Sequence, residues 1–134
     1  MKVFCFLDYL LNLNIMSHNS ILKVQRFDFA VRIIKLYKFL KKQHSEYELS
    51  NQLLRSGTSV GALIREAEHA ETRKDFSHKL SISLKEANES IYWLELLYAT
   101  DYINKRMFDS MIKDATELLK MLIASVKTTK SRAK

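Results

Sequence analysis

No proline occurs among the 134 residues of this chain, and only two glycines do, Gly57 and Gly61. Sheets need tight turns, and tight turns draw on Gly and Pro at set positions. A chain without that punctuation has few ways to build a sheet. Leu, Ile, Lys, Glu, Ala and Met are frequent instead, and they favour helix. The expected class is all-α.

A chain of 134 residues is the size of one domain. An apolar share of 47% supplies one core. The single cysteine, Cys5, forms no disulfide within the chain, which fits a reducing cytoplasm, and no run of about 20 apolar residues spans a membrane. At the N-terminus Lys2 and Val3-Phe4-Cys5-Phe6-Leu7 resemble the start of a signal peptide. Asp8, Asn12 and Asn14 break that apolar run, and no small-x-small cleavage site follows. Met16-Ser17-His18-Asn19-Ser20 reads as a polar start, so translation is expected to begin at Met16, leaving residues 1–15 untranslated rather than as a membrane-surface anchor. The expected organisation is an N-terminal extension over residues 1–20, one folded unit over 21–127 and a basic, disordered tail over 128–134.

Net charge is +7, and it is unevenly spread. Residues 23–42 hold Lys23, Arg26, Arg32, Lys35, Lys38, Lys41 and Lys42 against Asp28 alone. The tail adds Lys127, Lys130, Arg132 and Lys134, so the remainder of the chain is slightly acidic. Such segregation points to a specific cationic surface.

Four helices follow from the apolar periodicity. The first is expected over Leu22–Lys42, with Phe29, Ile33, Leu36 and Leu40 facing a core and Arg32, Lys35, Lys38 and Lys42 opposite. Phe39 sits among those cations. Ser45-Glu46-Tyr47-Glu48 reads as a capping box that opens a second helix running to about Ala70 through Leu49, Leu53, Val60, Ile64 and Ala67. Gly57 and Gly61 each cost helix about 1 kcal/mol against Ala, so close approach of another helix is their expected reason. Thr72-Arg73-Lys74-Asp75 caps a third helix to about Thr100. Its core line is expected through Phe76, Leu80, Leu84, Ala87, Ile91, Leu94 and Tyr98, with Ile82, Trp93 and Leu96 on a second apolar line. Asn104 caps a fourth helix, ending near Val126. Short connections make an antiparallel up-down-up-down four-helix bundle the natural architecture.

No constellation of residues supports catalysis. Glu66-Ala67-Glu68-His69 and Asp75-Phe76-Ser77-His78 echo the Glu-x-x-His ligands of di-metal bundles. Both crowd one hairpin end, and Glu66 and His69 project away from the core line, so no metal or other cofactor is expected. Glu86 and Glu89 form a carboxylate pair without a placeable nucleophile or histidine, and ordinary surface pairing accounts for them. Arg55, Ser59 and Glu66 on the second helix, with Ile82, Glu86, Glu89 and Trp93 on the third, form a mixed polar and aromatic flank that suits subunit association. The basic face of the first helix suits phosphate: Arg32, Lys35, Lys38 and Lys42 are the expected contacts, with Phe39 stacking on an unpaired base.

From about Phe27 to Val126 the chain resembles the four-helix-bundle family of proteins encoded in intervening sequences of bacterial 23S ribosomal RNA genes. The resemblance is carried by Gln52-Leu53-Leu54-Arg55-Ser56, Ser59-Val60-Gly61-Ala62 and Ile64-Arg65-Glu66-Ala67. It continues in Asp75-Phe76, Lys85-Glu86-Ala87 and Glu89-Ser90-x-Tyr92-Trp93-Leu94. The chain is also similar to the accessory variability proteins of diversity-generating retroelements. The resemblance implies a ring, commonly a pentamer, and a basic surface for nucleic acid beside a reverse transcriptase. One position departs from it: where the family often has Asn between Ala62 and Ile64, this chain has Leu63. Together these observations lead to the expectation of a cytoplasmic, bacterial, non-enzymatic oligomer that binds RNA or DNA with little sequence preference. The alternative is a structural or adaptor oligomer for a protein partner.

Overall fold

Four helices take up most of residues 16–132, the residues that the structure, a computed structural model, describes. They are α1 (Met16–His44), α2 (Glu48–Ala67), α3 (Arg73–Ala99) and α4 (Lys105–Arg132). Each helix packs on the next in the chain, and α4 returns to α1. The expected four-helix bundle is the observed fold. The expected start at Met16 and the extension over 1–15 lie outside the described residues, as do the last two residues of the tail. None of the helices among the described residues is long and apolar enough to cross a membrane.

The helix ends follow local chemistry in two cases out of three. Thr72 Oγ1 accepts the Asp75 amide at 3.0 Å, and Asn104 Oδ1 accepts the Met107 amide at 2.9 Å. The expected Ser45 box does not form. Ser45 takes a left-handed conformation (φ 50°) that ends α1, and Glu46 caps α2 in its place. The Glu46 carboxylate accepts the amides of Leu49 (2.8 Å) and Ser50 (2.7 Å) and the Ser50 hydroxyl. Burial works to raise its pKa, but these hydrogen bonds prevail and hold the carboxyl below the usual range.

The core is built from Phe29, Ile33, Leu36 and Leu40 of α1, Leu53, Val60 and Ile64 of α2, and matching lines on α3 and α4. On α3 the buried line is Phe76, Leu80, Ser83, Ala87, Ser90, Leu94 and Leu97. Leu84 and Ile91, expected on that line, flank it half-buried, and Tyr98 lies outside, stacked on Phe108 of α4 with ring centroids 4.6 Å apart. Serine suits the buried line because α2 comes close there. Ser83 Oγ donates to the Val60 carbonyl of α2 at 2.9 Å, and Ser90 Oγ lies 3.0 Å from Ser56 Oγ and 2.9 Å from the Glu86 carbonyl. No buried hydroxyl on this seam is left unpaired, and the cross-helix bonds fix the register of α2 on α3.

Three boundaries differ from expectation. α1 is already helical at Met16, and α4 continues to Arg132, so most of the expected tail is helix. The extra turns of α4 have support: Thr129 is buried, and Arg73 at the start of α3 donates to the Arg132 carbonyl at 3.5 Å. α2 stops earlier than expected, at Ala67, and one further turn carries the chain to Ala70, whose amide donates to the Ala67 carbonyl.

Candidate nucleic-acid interface

Of the seven cations between residues 23 and 42, four are held within the chain. Arg26 Nη1 lies 2.9 Å from Glu68 Oε1 with both side chains largely buried, and Lys23 stands 4.0 Å from the same oxygen. The Arg26–Glu68 contact is an ion pair whose alignment falls short of a hydrogen bond. Lys41 lies over the rings of Tyr37 and Tyr47 and donates to Tyr37 Oη at 3.1 Å. Arg32, expected on phosphate, turns to α4. It pairs with Asp114 and donates to the Ser110 hydroxyl at 2.6 Å, clamping α1 to α4. Arg32 is thus half-buried at the α1–α4 seam instead of opposite the core, and its partner lies 82 residues away, beyond the reach of helical periodicity.

Lys35, Lys38 and Lys42 remain. All three are exposed, and none has an ion pair among the described residues. Spaced i, i+3 and i+7, they form one line about 10 Å long at 1.5 Å rise per residue. Phe39, expected to stack on a base, is half-buried. Its ring meets His44 edge-on at 5.8 Å, and His44 meets Tyr102 edge-on at 5.6 Å. That aromatic row joins α1 to the α3–α4 connection, and Phe39 also packs against the core, so only part of its ring is open to a base.

The side chains of the flank expected for subunit association bond to one another within the chain. Arg55 of α2 donates to Glu86 of α3 at 3.2 Å and also pairs with Glu89. The Trp93 indole donates to the same Glu89 carboxylate at 3.1 Å. The hydrogen bond from Arg55 is the chief reason the Glu89 carboxyl sits below its ordinary pKa, and in return the guanidinium pKa is raised. Ser59 donates to its own helix at the Arg55 carbonyl (2.6 Å), and Glu66 pairs with Lys79 at 3.4 Å. Ile82 is half-buried beside them. Among the described residues no group of three or more His, Cys, Asp or Glu side chains is close enough together to hold a metal ion.

The model of the family described as 23S rRNA-intervening sequence protein matches residues 19–124, a span that enters all four helices. The chain belongs to this family. A solved Bacteroides thetaiotaomicron protein, described as of unknown function and from the S23 ribosomal protein family, is similar at 54% identity with a TM-score of 0.78. The alignment covers 79% of this chain and 98% of that one. No curated protein matches.

Within the 23S rRNA-intervening sequence protein fold of this chain, Leu63 is half-buried on α2. The surface also carries an apolar group that the periodicity of α1 does not single out. Val24, Phe27 and Ile34 of α1 are exposed, Phe27 to 68%, on the side away from the core. Their spacing of i, i+3 and i+10 was the available signal. It is masked because the core line of the same helix is stronger.

Proposed function

We propose that this protein is a non-enzymatic, cytoplasmic oligomer of bacterial origin that binds RNA or DNA with little sequence preference through α1. The observation that carries the reading is the line of Lys35, Lys38 and Lys42, exposed and unmatched by acid, on a helix whose other cations are engaged. Such a line neutralises successive phosphates and releases their counterions, a contact that reads charge rather than base sequence. In an oligomer the line repeats in every subunit, so weak contacts add through avidity. The non-enzymatic part is supported by Glu89, whose carboxyl the hydrogen bond from Arg55 holds below its ordinary range, so that it has no proton to give as an acid at neutral pH. The competing reading, a structural or adaptor oligomer for a protein partner, draws on the exposed apolar side chains of α1.

Fluorescence anisotropy with a labelled single-stranded RNA and a labelled DNA duplex, across a salt series, tests the reading. Binding should weaken steeply with salt, and Lys35, Lys38 and Lys42 changed together to Gln should remove most of it and flatten the salt slope by about one per lysine. The C-terminal cations are controlled by Lys127→Gln with Lys130→Gln, since truncation would remove ordered helix. If the triple variant binds both probes as tightly as the parent, α1 is not the binding face and the adaptor reading leads.

A further inference from the structure

A second line of cations runs along α4. Arg106, Lys113, Lys120 and Lys127 stand seven residues apart, each exposed and without an ion pair among the described residues. Seven residues fall about 20° short of two turns, so the four side chains keep close to one line, about 10 Å apart and about 31 Å end to end. The line lies opposite Met111, Ala115, Leu118 and Leu122, which face the core. Acids offset little of it. Asp109 is taken by Lys105 at 2.6 Å, and Asp114 by Arg32. Glu117, exposed between Lys113 and Lys120, is the one acid of α4 without an ion pair among the described residues. Glu95 of α3 is exposed as well, but Arg106 and Lys113 lean toward α1, beside the Ser110 and Asp114 that meet Arg32.

The helices α1 and α4 run antiparallel, since Arg32 meets Asp114 while His44 meets Tyr102. Lys35 and Lys42 lie within about 80° of Arg32 around α1, so they flank the Arg106 end of the line. Asp28, one turn before Arg32, makes α1 acidic beyond it, and there the cations belong to α4 alone. No aromatic residue occurs in α4 after Phe108, and Ile123, 48% exposed, is the one large apolar side chain beside the line. Protein interfaces are depleted of lysine at their centre and built on apolar and aromatic anchors, so this surface fits a polyanion better than a protein. A single strand gains its affinity from bases stacked on aromatic faces, which α4 does not offer. A duplex needs no such face and is already straight, with a persistence length of about 150 base pairs. The geometry points to double-stranded nucleic acid as the ligand of α4. A stretch of about nine base pairs, at about 3.4 Å each, lies along the helix with its phosphates on Arg106, Lys113, Lys120 and Lys127. The lysines of α1 hold the same ligand at one end.

This inference rests on the nucleic-acid reading of the proposed function and adds the form of the ligand. Anisotropy on the full chain tests it, with one sequence labelled as a single strand, a DNA duplex and an RNA duplex, each long enough to span α4. The parent should bind both duplexes more tightly than the single strand at equal salt. Arg106→Gln, Lys113→Gln, Lys120→Gln and Lys127→Gln combined should flatten the duplex salt slope by about three to four, and the single-strand slope by clearly less. Glu117→Gln should do the reverse and strengthen duplex binding, a gain that damage to the fold does not produce. Should the four-residue variant lose helicity, Glu117→Gln decides alone, and an unchanged duplex affinity overturns the inference. A tighter DNA duplex and a tighter RNA duplex support it equally, and the difference names the source. Single-strand binding as tight as duplex binding overturns it, as does poly-glutamate that binds as tightly as the duplexes. So does a folded four-residue variant that binds duplex like the parent, which leaves the α1 reading standing. A parent that binds none of the three nucleic-acid probes overturns both.

Discussion

Gly57 of α2 lies directly beneath Ile33 of α1: a β-carbon at Gly57 would stand 2.7 Å from Ile33 Cγ1 and 2.9 Å from Cγ2. Two branches on the Ile33 β-carbon leave it little freedom to swing aside, and the residue is fully buried. Gly57→Ala is therefore expected to lower stability by about 1–3 kcal/mol through overpacking, although alanine is the better helix former. Four residues on, the sign reverses. A β-carbon at Gly61 would meet Arg26 at 3.5 Å or more, which is ordinary contact, so Gly61→Ala should stabilise by about 0.5–1 kcal/mol. Urea unfolding of the two single variants checks both signs. Ile33→Ala combined with Gly57→Ala should cost less than the sum of the two, since the clash is gone.

Glu46 makes the fold sensitive to acid. Its carboxyl is held below the unfolded value of about 4.3, so its contribution is fully present above that value and is lost as pH falls through the folded pKa. Glu89, depressed chiefly by the hydrogen bond from Arg55, adds in the same direction. Glu46→Gln should cost about 1 kcal/mol at pH 7, the scale of an N-cap, and clearly less at pH 3. Denaturation midpoints of parent and variant at the two pH values measure this. An equal cost at both would show that the charge of Glu46 is not what caps α2.

The sequence made legible whatever depends on neighbours a few residues apart. The caps at Thr72 and Asn104 each need one side chain and one amide three residues on, so they were readable. The Ser45 box failed by the same logic, because Glu46 lies beside it and offers a stronger acceptor to two amides of the same turn. The core line of α1 is legible from Phe29, Ile33, Leu36 and Leu40, and that of α3 from Phe76, Leu80, Ala87 and Leu94, whereas Leu84, Ile91 and Tyr98 each stand one position off the buried line because Ser83 and Ser90 look like surface residues. Only the approach of Val60 and Ser56 from α2 makes them core. The candidate site shows the same limit. Lys35, Lys38 and Lys42 could be placed on a surface from α1 alone, whereas the roles of Arg32 and Phe39 are set by Asp114 and Tyr102, far along the chain.

The α3–α4 connection stores a small penalty. Asp101 sits in the left-handed region (φ 66°), with the Tyr102 amide donating to the Leu97 carbonyl and its own amide to Tyr98, the closing pattern that favours glycine after a helix. Asp101→Gly relieves the β-carbon contact and should raise stability by about 0.5–1 kcal/mol. A higher denaturant midpoint with an unchanged slope is the expected result. A lower midpoint would mean that the aspartate side chain supports the turn.

Arg32 and the three exposed lysines of α1 share a charge and a helix but should respond oppositely to removal. The Arg32 guanidinium ties α1 to Asp114 and Ser110 of α4, and about a third of its side chain is exposed, so solvent screens the pair. Arg32→Gln is expected to cost roughly 0.5–1 kcal/mol of stability, the range for partly exposed ion pairs. Its effect on nucleic acid should be small, because a cation already matched by a carboxylate releases few counterions. Lys35→Gln, Lys38→Gln and Lys42→Gln together remove no ion pair among the described residues, so stability should stay within about 0.5 kcal/mol while affinity falls. Thermal unfolding and anisotropy on the same two preparations separate stability from binding. If Arg32→Gln weakens binding as much as the lysine variant does, the phosphate path runs over the α1–α4 seam instead of along the outer line of α1. The exposed Arg106 and Lys113 of α4 would then be the next residues to change.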